Sequence, residues 1–337
     1  MIYDTAADVL TGDVFIKLDG FVPGFDTNLK VEGLNPTGSI KLKTARLLLE
    51  RAECSGVLCS GNRLIESTSG NLGIALASLC ASRGRHITLV TDPNANPRSV
   101  QYMKALGADV VVVRAKDQNG GYLQTRIDYI RNRLAADPDL YWLNQYANSA
   151  NTQAHSTGTA QEILRHFGPP DWLFVGVGTS GTLMGCVEHF RKAGAPTRIV
   201  GVDAEGSVTF GGPAGTRRIP GLGASRRPEI FRDSGHFQKV LVAETDTIRT
   251  CRRVALDHGL LVGGSTGTVL AAIRALRDQI PEGSRVLAIS PDLGDRYLDT
   301  VYDDEWVMAR FGSDVAEAET ARNGSNLREV TELAAQP

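Results

Sequence analysis

What most restricts the fold of this chain is a repeated alternation. Short, almost wholly apolar runs are separated by longer stretches with helical periodicity. "HITLV" at 86–90 is followed by the helical "PRSVQYMKALG" and then by "ADVVVV" at 108–113. "DWLFVGV" at 171–177 precedes a helix through "LMGCVEHFRKAG", and "RIVGVDA" follows at 198–204. "TIRTCRRVALDHG" and "TVLAAIRALRDQ" read as helices, and "RVLAIS" at 285–290 as a buried strand. Runs that are apolar on both faces and joined through helices belong to mostly parallel sheets covered on both sides. An α/β protein is expected. Near the start, "DVFIKLDG" and "DTNLKVEG" read instead as two successive strands.

With 337 residues, 42% of them hydrophobic, the chain holds more core than one small domain uses, so two lobes are expected. "QYANSAN" interrupts the alternation near 146–151 and marks a lobe boundary. After about Gly312 the composition turns polar, which predicts a mobile or weakly helical end. A formal net charge of -2 leaves no footprint for nucleic acid. No apolar run approaches the ~20 residues of a membrane span. The opening "MIYDTAADVLTGDV" carries acids where a secretory leader carries basic residues. Cys54, Cys59, Cys80, Cys186 and Cys251 are scattered without metal-type spacing, and the six histidines show no HExxH pattern. A reduced, cytoplasmic setting without a metal centre is expected.

The stretch "NPTGSIKLKTA" at 35–45 places two lysines at a helix start. From Lys41 the positions at helical spacing are Ala45, Leu48 and Ala52, all apolar, whereas Lys43 neighbours Arg46, Leu47 and Glu50. Lys41 should therefore lie with the buried stripe and Lys43 should face water. A desolvated amine at the positive end of a helix dipole has a lowered pKa and can form a Schiff base with an aldehyde. Spacing alone also allows a lysine that snorkels past apolar neighbours.

Three turns offer anion or ligand contacts. "ESTSGNLGIALASLCASRG" at 66–84 opens a helix with Ser67, Thr68, Ser69 and Asn71, more polar groups than one cap uses. "VGVGTSGTLMG" at 175–185 contains GxGxxG at Gly176, Gly178 and Gly181, with Asp203 and Glu205 after the next strand. That pattern approaches a dinucleotide fingerprint, and an NAD(P)-dependent oxidoreductase is the reading from another functional class. The hydroxyls of Thr179, Ser180 and Thr182 favour a terminal phosphate monoester instead. In "GGSTG" at 263–267, Ser265 reads either as an N-cap or as a ligand contact in the cleft between lobes.

Together these elements resemble the fold-type II pyridoxal-phosphate enzymes, the cysteine synthase and cystathionine β-synthase group, over roughly residues 14–302. The resemblance implies a tryptophan synthase β-subunit-like fold of two three-layer lobes with the active site between them. Residues 35–147 would form the smaller lobe with the TSGN substrate loop. Residues 1–34 and 148–312 would form the larger lobe with the phosphate cup, and 313–337 a flexible tail. It implies pyridoxal 5'-phosphate as cofactor, Lys41 in NPxGSxK as the Schiff-base lysine, and a homodimer. In Thr68–Asn71, with Gly70 between, the loop would receive the substrate carboxylate and Asn71 the cofactor ring oxygen. Gly178, Thr179, Ser180, Gly181 and Thr182 would form the phosphate cup, and Ser265 would face the pyridine nitrogen.

Cysteine synthases follow the lysine with Asp-Arg and the loop asparagine with Thr, whereas this chain has Leu42-Lys43 and Leu72. "GGYLQTRI", "YWLNQYAN", "VDAEGSVTFG", "PGLGASRRPEI" and "PDLGDRYLDTVY" are similar to the siderophore-pathway branch, the N-(2-amino-2-carboxyethyl)-L-glutamate synthases. Gly178 stands where some members of that branch have serine. The resemblance implies a β-replacement through an aminoacrylate that joins O-phospho-L-serine to L-glutamate and releases phosphate. Arg126 and Arg218 are candidates for the leaving phosphate, each against the simpler reading of a surface ion pair, and Gln145 and Tyr146 for the second amino acid. Within the class, sulfide or ammonia could replace glutamate as nucleophile.

Overall fold

The computed structural model describes residues 2–58 and 61–317. Its strands are β1 (Phe15–Lys17), β2 (Asp26–Val31), β3 (Arg63–Ser67), β4 (Ile87–Thr91), β5 (Asp109–Val112), β6 (Leu140–Trp142), β7 (Trp172–Gly176), β8 (Arg198–Ala204), β9 (Gln238–Val242) and β10 (Arg285–Ser290). They form a six-stranded sheet in the order β1-β2-β10-β7-β8-β9 and a four-stranded sheet in the order β5-β4-β3-β6. In the larger sheet β1 is antiparallel to β2, and the remaining pairs of both sheets are parallel. This is the α/β arrangement that the apolar runs imply.

The helices are α1 (Lys41–Cys54), α2 (Asn71–Ser82), α3 (Pro97–Ala105), α4 (Leu123–Ala136), α5 (Ser149–Ala154), α6 (Gly181–Lys192), α7 (Glu244–His258), α8 (Gly264–Ala275), α9 (Asp304–Phe311) and α10 (Ser313–Glu317). Beyond α5 the helix continues through two π-helical stretches, His155–Ala160 and Ile163–Phe167.

Strand β7 shows why these runs carry no polar alternation. Trp172 and Phe174 point into one core with Val269, Leu270 and Val286, while Leu173 and Val175 point into another with Leu183, Cys186 and Phe190. Each fully buried side chain of this size contributes roughly 1.5–3 kcal/mol, so both faces of the sheet are anchored. The four-stranded sheet is covered by Leu42, Leu48 and Leu49 of α1 and Leu72, Ile74 and Leu76 of α2. That packing fixes the roll of α1, and with it the direction of Lys41.

Helix α10 lies past Gly312 and is docked, with Val315 and Ala316 buried in the core of the larger lobe. The rest of the polar C-terminal stretch, 318–337, and Cys59 lie outside the described residues. Among the described residues, no helix is long and apolar enough to cross a membrane.

Candidate active site

A cleft of about 760 Å³ is lined by residues that directly follow β3, β4, β6, β7 and β10: Thr68–Asn71, Asp92, Gln145 and Tyr146, Gly178 and Thr179, and Pro291. Ligands of open parallel sheets bind at these carboxyl ends of strands, because helix N-termini and unpaired loop backbone converge there. Of the remaining sequence candidates, Lys41, Ser265, Arg126 and Arg218 line the same cleft. Ser67 closes β3 behind the wall, its carbonyl accepting from Gln145 Nε2 at 2.9 Å. Ser180 and Gly181 are buried at the start of α6, and Thr182 follows them half-buried.

Lys41 is the first residue of α1 and opens onto the cleft. Desolvation by the surrounding protein lowers its pKa to about 8, against the pull of the Glu66 carboxylate, which favours the charged amine. Glu66 itself is fully buried, and desolvation raises its pKa to about 7 although it accepts hydrogen bonds from Ser67 N, Trp142 Nε1 and Gln145 N.

Lys43 does not face water. It is buried, with Nζ 2.8 Å from Glu32 Oε2 and 2.5 Å from Glu162 Oε2, and Lys30 joins the cluster 3.0 Å from Glu162. Burial pulls its pKa down, but Glu32 and Glu162 outweigh burial and raise it, so Lys43 stays charged. The polar face of α1 is therefore dry at Lys43, which meets Glu32 just after β2 and Glu162 between the two π-helical stretches, and partly exposed farther on at Arg46 and Glu50.

The loop after β7 meets the requirements of a phosphate monoester. Ser180 holds a left-handed φ of 74°, and its Oγ is buried without a hydrogen-bond partner. Thr179 Oγ1 accepts from Asn151 Nδ2 at 2.9 Å, which leaves its own proton to donate. The first intrahelical bond at this end is Met184 N to Ser180 O, so the earlier N–H groups of α6 remain available. A Cβ on Gly181 would overlap the Asn151 carboxamide, and one on Gly178 would stand 3.1 Å from the Gly221 carbonyl. An orphaned buried hydroxyl beside free N–H groups is a cradle built for an anion.

The dinucleotide pattern fails on its acid. Asp203 is fully buried, its Oδ1 accepts from Ala204 N, and desolvation raises its pKa to about 6, with Ser207 and Arg217 beside it. Neither it nor Glu205 lines the cleft, so neither acid that follows the glycine pattern is placed to meet a ribose there.

Arg126 is buried rather than part of a surface ion pair. Its Nε lies 3.4 Å from Asp92 Oδ2, and both Nε and Nη1 lack hydrogen-bond partners. Arg218 is exposed at the cleft rim, its backbone N donating to Glu244 Oε1 at 2.8 Å. Burial raises the pKa of Tyr146, and Gln145 Oε1 is buried without a donor. In all, seven cationic side chains line the cleft against two carboxylates, Asp92 and Asp299. Sequence reasoning missed Asp292, Arg296 and Tyr297. Asn71 Nδ2 donates to Asp292 Oδ2 at 2.8 Å, and Asn71 Oδ1 accepts from Arg296 Nη1 at 2.5 Å. Arg296 Nη2 also reaches the Thr37 carbonyl at 2.6 Å, tying the segment after β10 to the loop before Lys41. The available signal was a cluster of charges in "PDLGDRY" directly after the apolar run of β10.

Comparison with known proteins gives a consistent picture. The family model described as pyridoxal-phosphate dependent enzyme matches residues 14–292. A Ralstonia nicotianae protein named N-(2-amino-2-carboxyethyl)-L-glutamate synthase is 39% identical over 337 residues, covering 98% of this chain and 100% of that protein. A Cupriavidus metallidurans protein of the same name is 43% identical over 288 residues, covering 84% of each. Among solved structures, an O-ureido-L-serine synthase superposes with a TM-score of 0.82 at 29% identity, covering 91% of this chain and 99% of that one. The O-acetylserine dependent cystathionine β-synthase of Helicobacter pylori gives 0.82 at 29% identity over 89% and 98% of the two chains.

Proposed function

The chain belongs to the pyridoxal-phosphate dependent enzyme family, and from that premise we propose that it joins O-phospho-L-serine to L-glutamate, giving N-(2-amino-2-carboxyethyl)-L-glutamate and phosphate. The product is a precursor of L-2,3-diaminopropionate, in siderophore or related secondary metabolism. The names of the two curated relatives support this product, and with it glutamate as the acceptor. The observation that carries it is Arg126, a buried guanidinium in the cleft wall whose Nε and Nη1 make no hydrogen bond among the described residues, with Asp92 Oδ2 3.4 Å from Nε as counter-charge. Unmatched buried donors are costly, and a phosphate dianion supplies what they lack. O-acetylserine, whose ester is uncharged when it binds and whose departing acetate carries a single negative charge, supplies less. The cationic majority of the cleft likewise suits one substrate with a phosphate and another with two carboxylates.

Bound between the lobes, pyridoxal phosphate supplies the electron sink that makes the α-proton of an amino acid removable. Thr179, Ser180 and the first N–H groups of α6 hold its phosphate, and Lys41 Nζ is its point of attachment. The same Nζ takes the α-proton and returns it once the new bond has formed. An amine whose proton affinity is lowered to about 8 can do both near neutral pH. Thr68 Oγ1 accepts from Gly70 N and Gly73 N and so fixes the start of α2, and the N–H groups of Asn71 and Leu72, with the Thr68 and Ser69 hydroxyl protons, receive the α-carboxylate. Arg126 holds the phosphate as it departs, and Ser265 meets the ring nitrogen with a neutral hydroxyl. Gln145, Tyr146 and Arg218 orient the incoming amino acid, and closure of the cleft keeps water from competing with it.

Mass spectrometry of products decides the reading. Phosphoserine with glutamate should give the predicted adduct, and acetylserine with sulfide little cysteine. Reaction of only the second pair, or of phosphoserine only with ammonia, would overturn the assignment. Lys41→Ala should abolish turnover, and full activity in that variant would refute the role of Nζ. A homodimer is the expected assembly, checked by light scattering.

A further inference from the structure

Behind the groups that face the cleft, a file of five side chains runs from the π-helical turn at 155–160 to the loop at 178–182. Thr159, His155, Thr44 and Asn151 are fully buried, and Thr179 stands at the cleft surface. Thr159 Oγ1 is 3.1 Å from His155 Nδ1, and His155 Nε2 is 3.0 Å from Thr44 Oγ1. Thr44 Oγ1 is 3.2 Å from Asn151 Oδ1, and Asn151 Nδ2 is 2.9 Å from Thr179 Oγ1.

One fixed point sets the direction of every bond. The Gln145 carbonyl lies 2.8 Å from Asn151 Nδ2, and a carbonyl can only accept. The amide is therefore oriented with its NH2 toward Gln145 and Thr179 and its oxygen toward Thr44. That oxygen also only accepts, so Thr44 donates to it and is left to accept from His155. The imidazole then carries its proton on Nε2, and Nδ1 accepts from Thr159. Burial, then the charges of Lys41 and Lys43, hold the pKa of His155 well below its usual value, which keeps the ring neutral as this pattern needs. At the far end Thr179 accepts from Asn151, so its own proton points elsewhere, toward the cleft. The absence of a Cβ at Gly181 leaves the space in which the Asn151 carboxamide lies against the cup.

We propose that this file is a one-way hydrogen-bond relay, in which Asn151 and His155 act as positioning residues that hold the Thr179 proton on the cofactor's phosphate. A hydroxyl free to rotate would present lone pairs to that dianion for part of the time, and those repel it. The inference rests on the reading of 178–182 as the phosphate cup, and it is independent of which amino acids are joined.

The full chain, stripped of cofactor with hydroxylamine, is titrated with pyridoxal phosphate and with pyridoxal, which lacks the phosphate. Thr179→Val should weaken pyridoxal phosphate about 10-fold or more while leaving pyridoxal nearly unchanged. Asn151→Ala should weaken pyridoxal phosphate about 5-fold or more alone, yet less than about 2-fold in the Thr179→Val background, because its effect passes through the removed hydroxyl. Additive losses in the double variant would overturn the relay and leave the cup intact. Equal losses for both ligands, or none, in Thr179→Val would overturn the cup and the relay with it. Should Asn151→Ala fail to fold, nitrogen NMR of His155 in the unaltered holoenzyme tests the same inference. The Nε2–H tautomer is expected, and the Nδ1–H tautomer would refute it.

Discussion

Replacing Arg126 with methionine keeps an unbranched apolar stem and removes the guanidinium with its charge. The guanidinium is buried with two unpartnered N–H groups, and Asp92 Oδ2 at 3.4 Å is the carboxylate paired with it. A hydrogen bond between charged groups contributes about 1.5–3 kcal/mol, and two from one guanidinium to one phosphate are not additive. About 3 kcal/mol is a reasonable loss, roughly 150-fold in kcat/KM for phosphoserine. Asp92 also loses its cation, so some folded enzyme should be lost as well. That loss lowers turnover of every substrate equally, which is why the ratio of phosphoserine to acetylserine is the quantity to measure. Acetylserine should change by less than about 3-fold, because it brings no phosphate to the missing guanidinium. A ratio that shifts by less than about 3-fold would show that Arg126 does not meet the leaving group, and the cleft's choice of donor would then rest elsewhere.

Lys43→Met should destabilise the protein by about 3–5 kcal/mol, since it leaves the buried Glu32 and Glu162 short of a cation. Urea unfolding reads this directly, and a loss under about 1 kcal/mol would mean the cluster is effectively solvated. Lys41 and Glu66 predict opposite slopes of stability with pH. With a folded pKa near 8 against 10.5, Lys41 binds fewer protons in the folded chain between those values, so cofactor-free stability should rise with pH there. With a folded pKa near 7 against 4.5, Glu66 binds more protons in the folded chain, so stability should fall as pH rises between 4.5 and 7. Urea midpoints across both windows check the signs, and Lys41→Met and Glu66→Gln should each flatten its own slope.

Much of the fold could be read because its central strands are buried on both faces. Strands β8 and β10 begin and end where the apolar runs at 198–204 and 285–290 do. Strand β9 left a weaker mark, because it opens on the exposed polar residues Gln238 and Lys239 and its apolar run is only Val240–Val242. Helical spacing aimed Lys41 correctly, since the apolar stripe it belongs to packs on α2 and the smaller sheet. The same reasoning misread Lys43. A polar helix face is ordinarily wet, and nothing local announces that Glu162, 119 residues later, closes over it. For Arg126 the sequence left a cleft contact and a surface ion pair both open for the same reason, as periodicity cannot tell a solvated cation from one enclosed by a cleft. Asn71 was visible as a motif residue, but its ties to Asp292 and Arg296 depend on contacts across more than 200 positions.

The order of strands also bears on how the molecule is made. All four strands of the smaller sheet come from one unbroken stretch, β3 to β6, whereas β2 must wait for β10, whose Val286 carbonyl meets Asn28 across a separation of 258 residues. Contacts closed over short stretches form early and those closed over long ones form late. On a ribosome, the lysine-bearing helix can therefore settle against its own sheet while the loop that is to grip the phosphate is still being synthesised. Loading of the vitamin should wait until β10 has joined β2 to β7 and completed the larger sheet, and a chain truncated before residue 285 should carry the lysine and the 178–182 loop without the strand that holds their supports together.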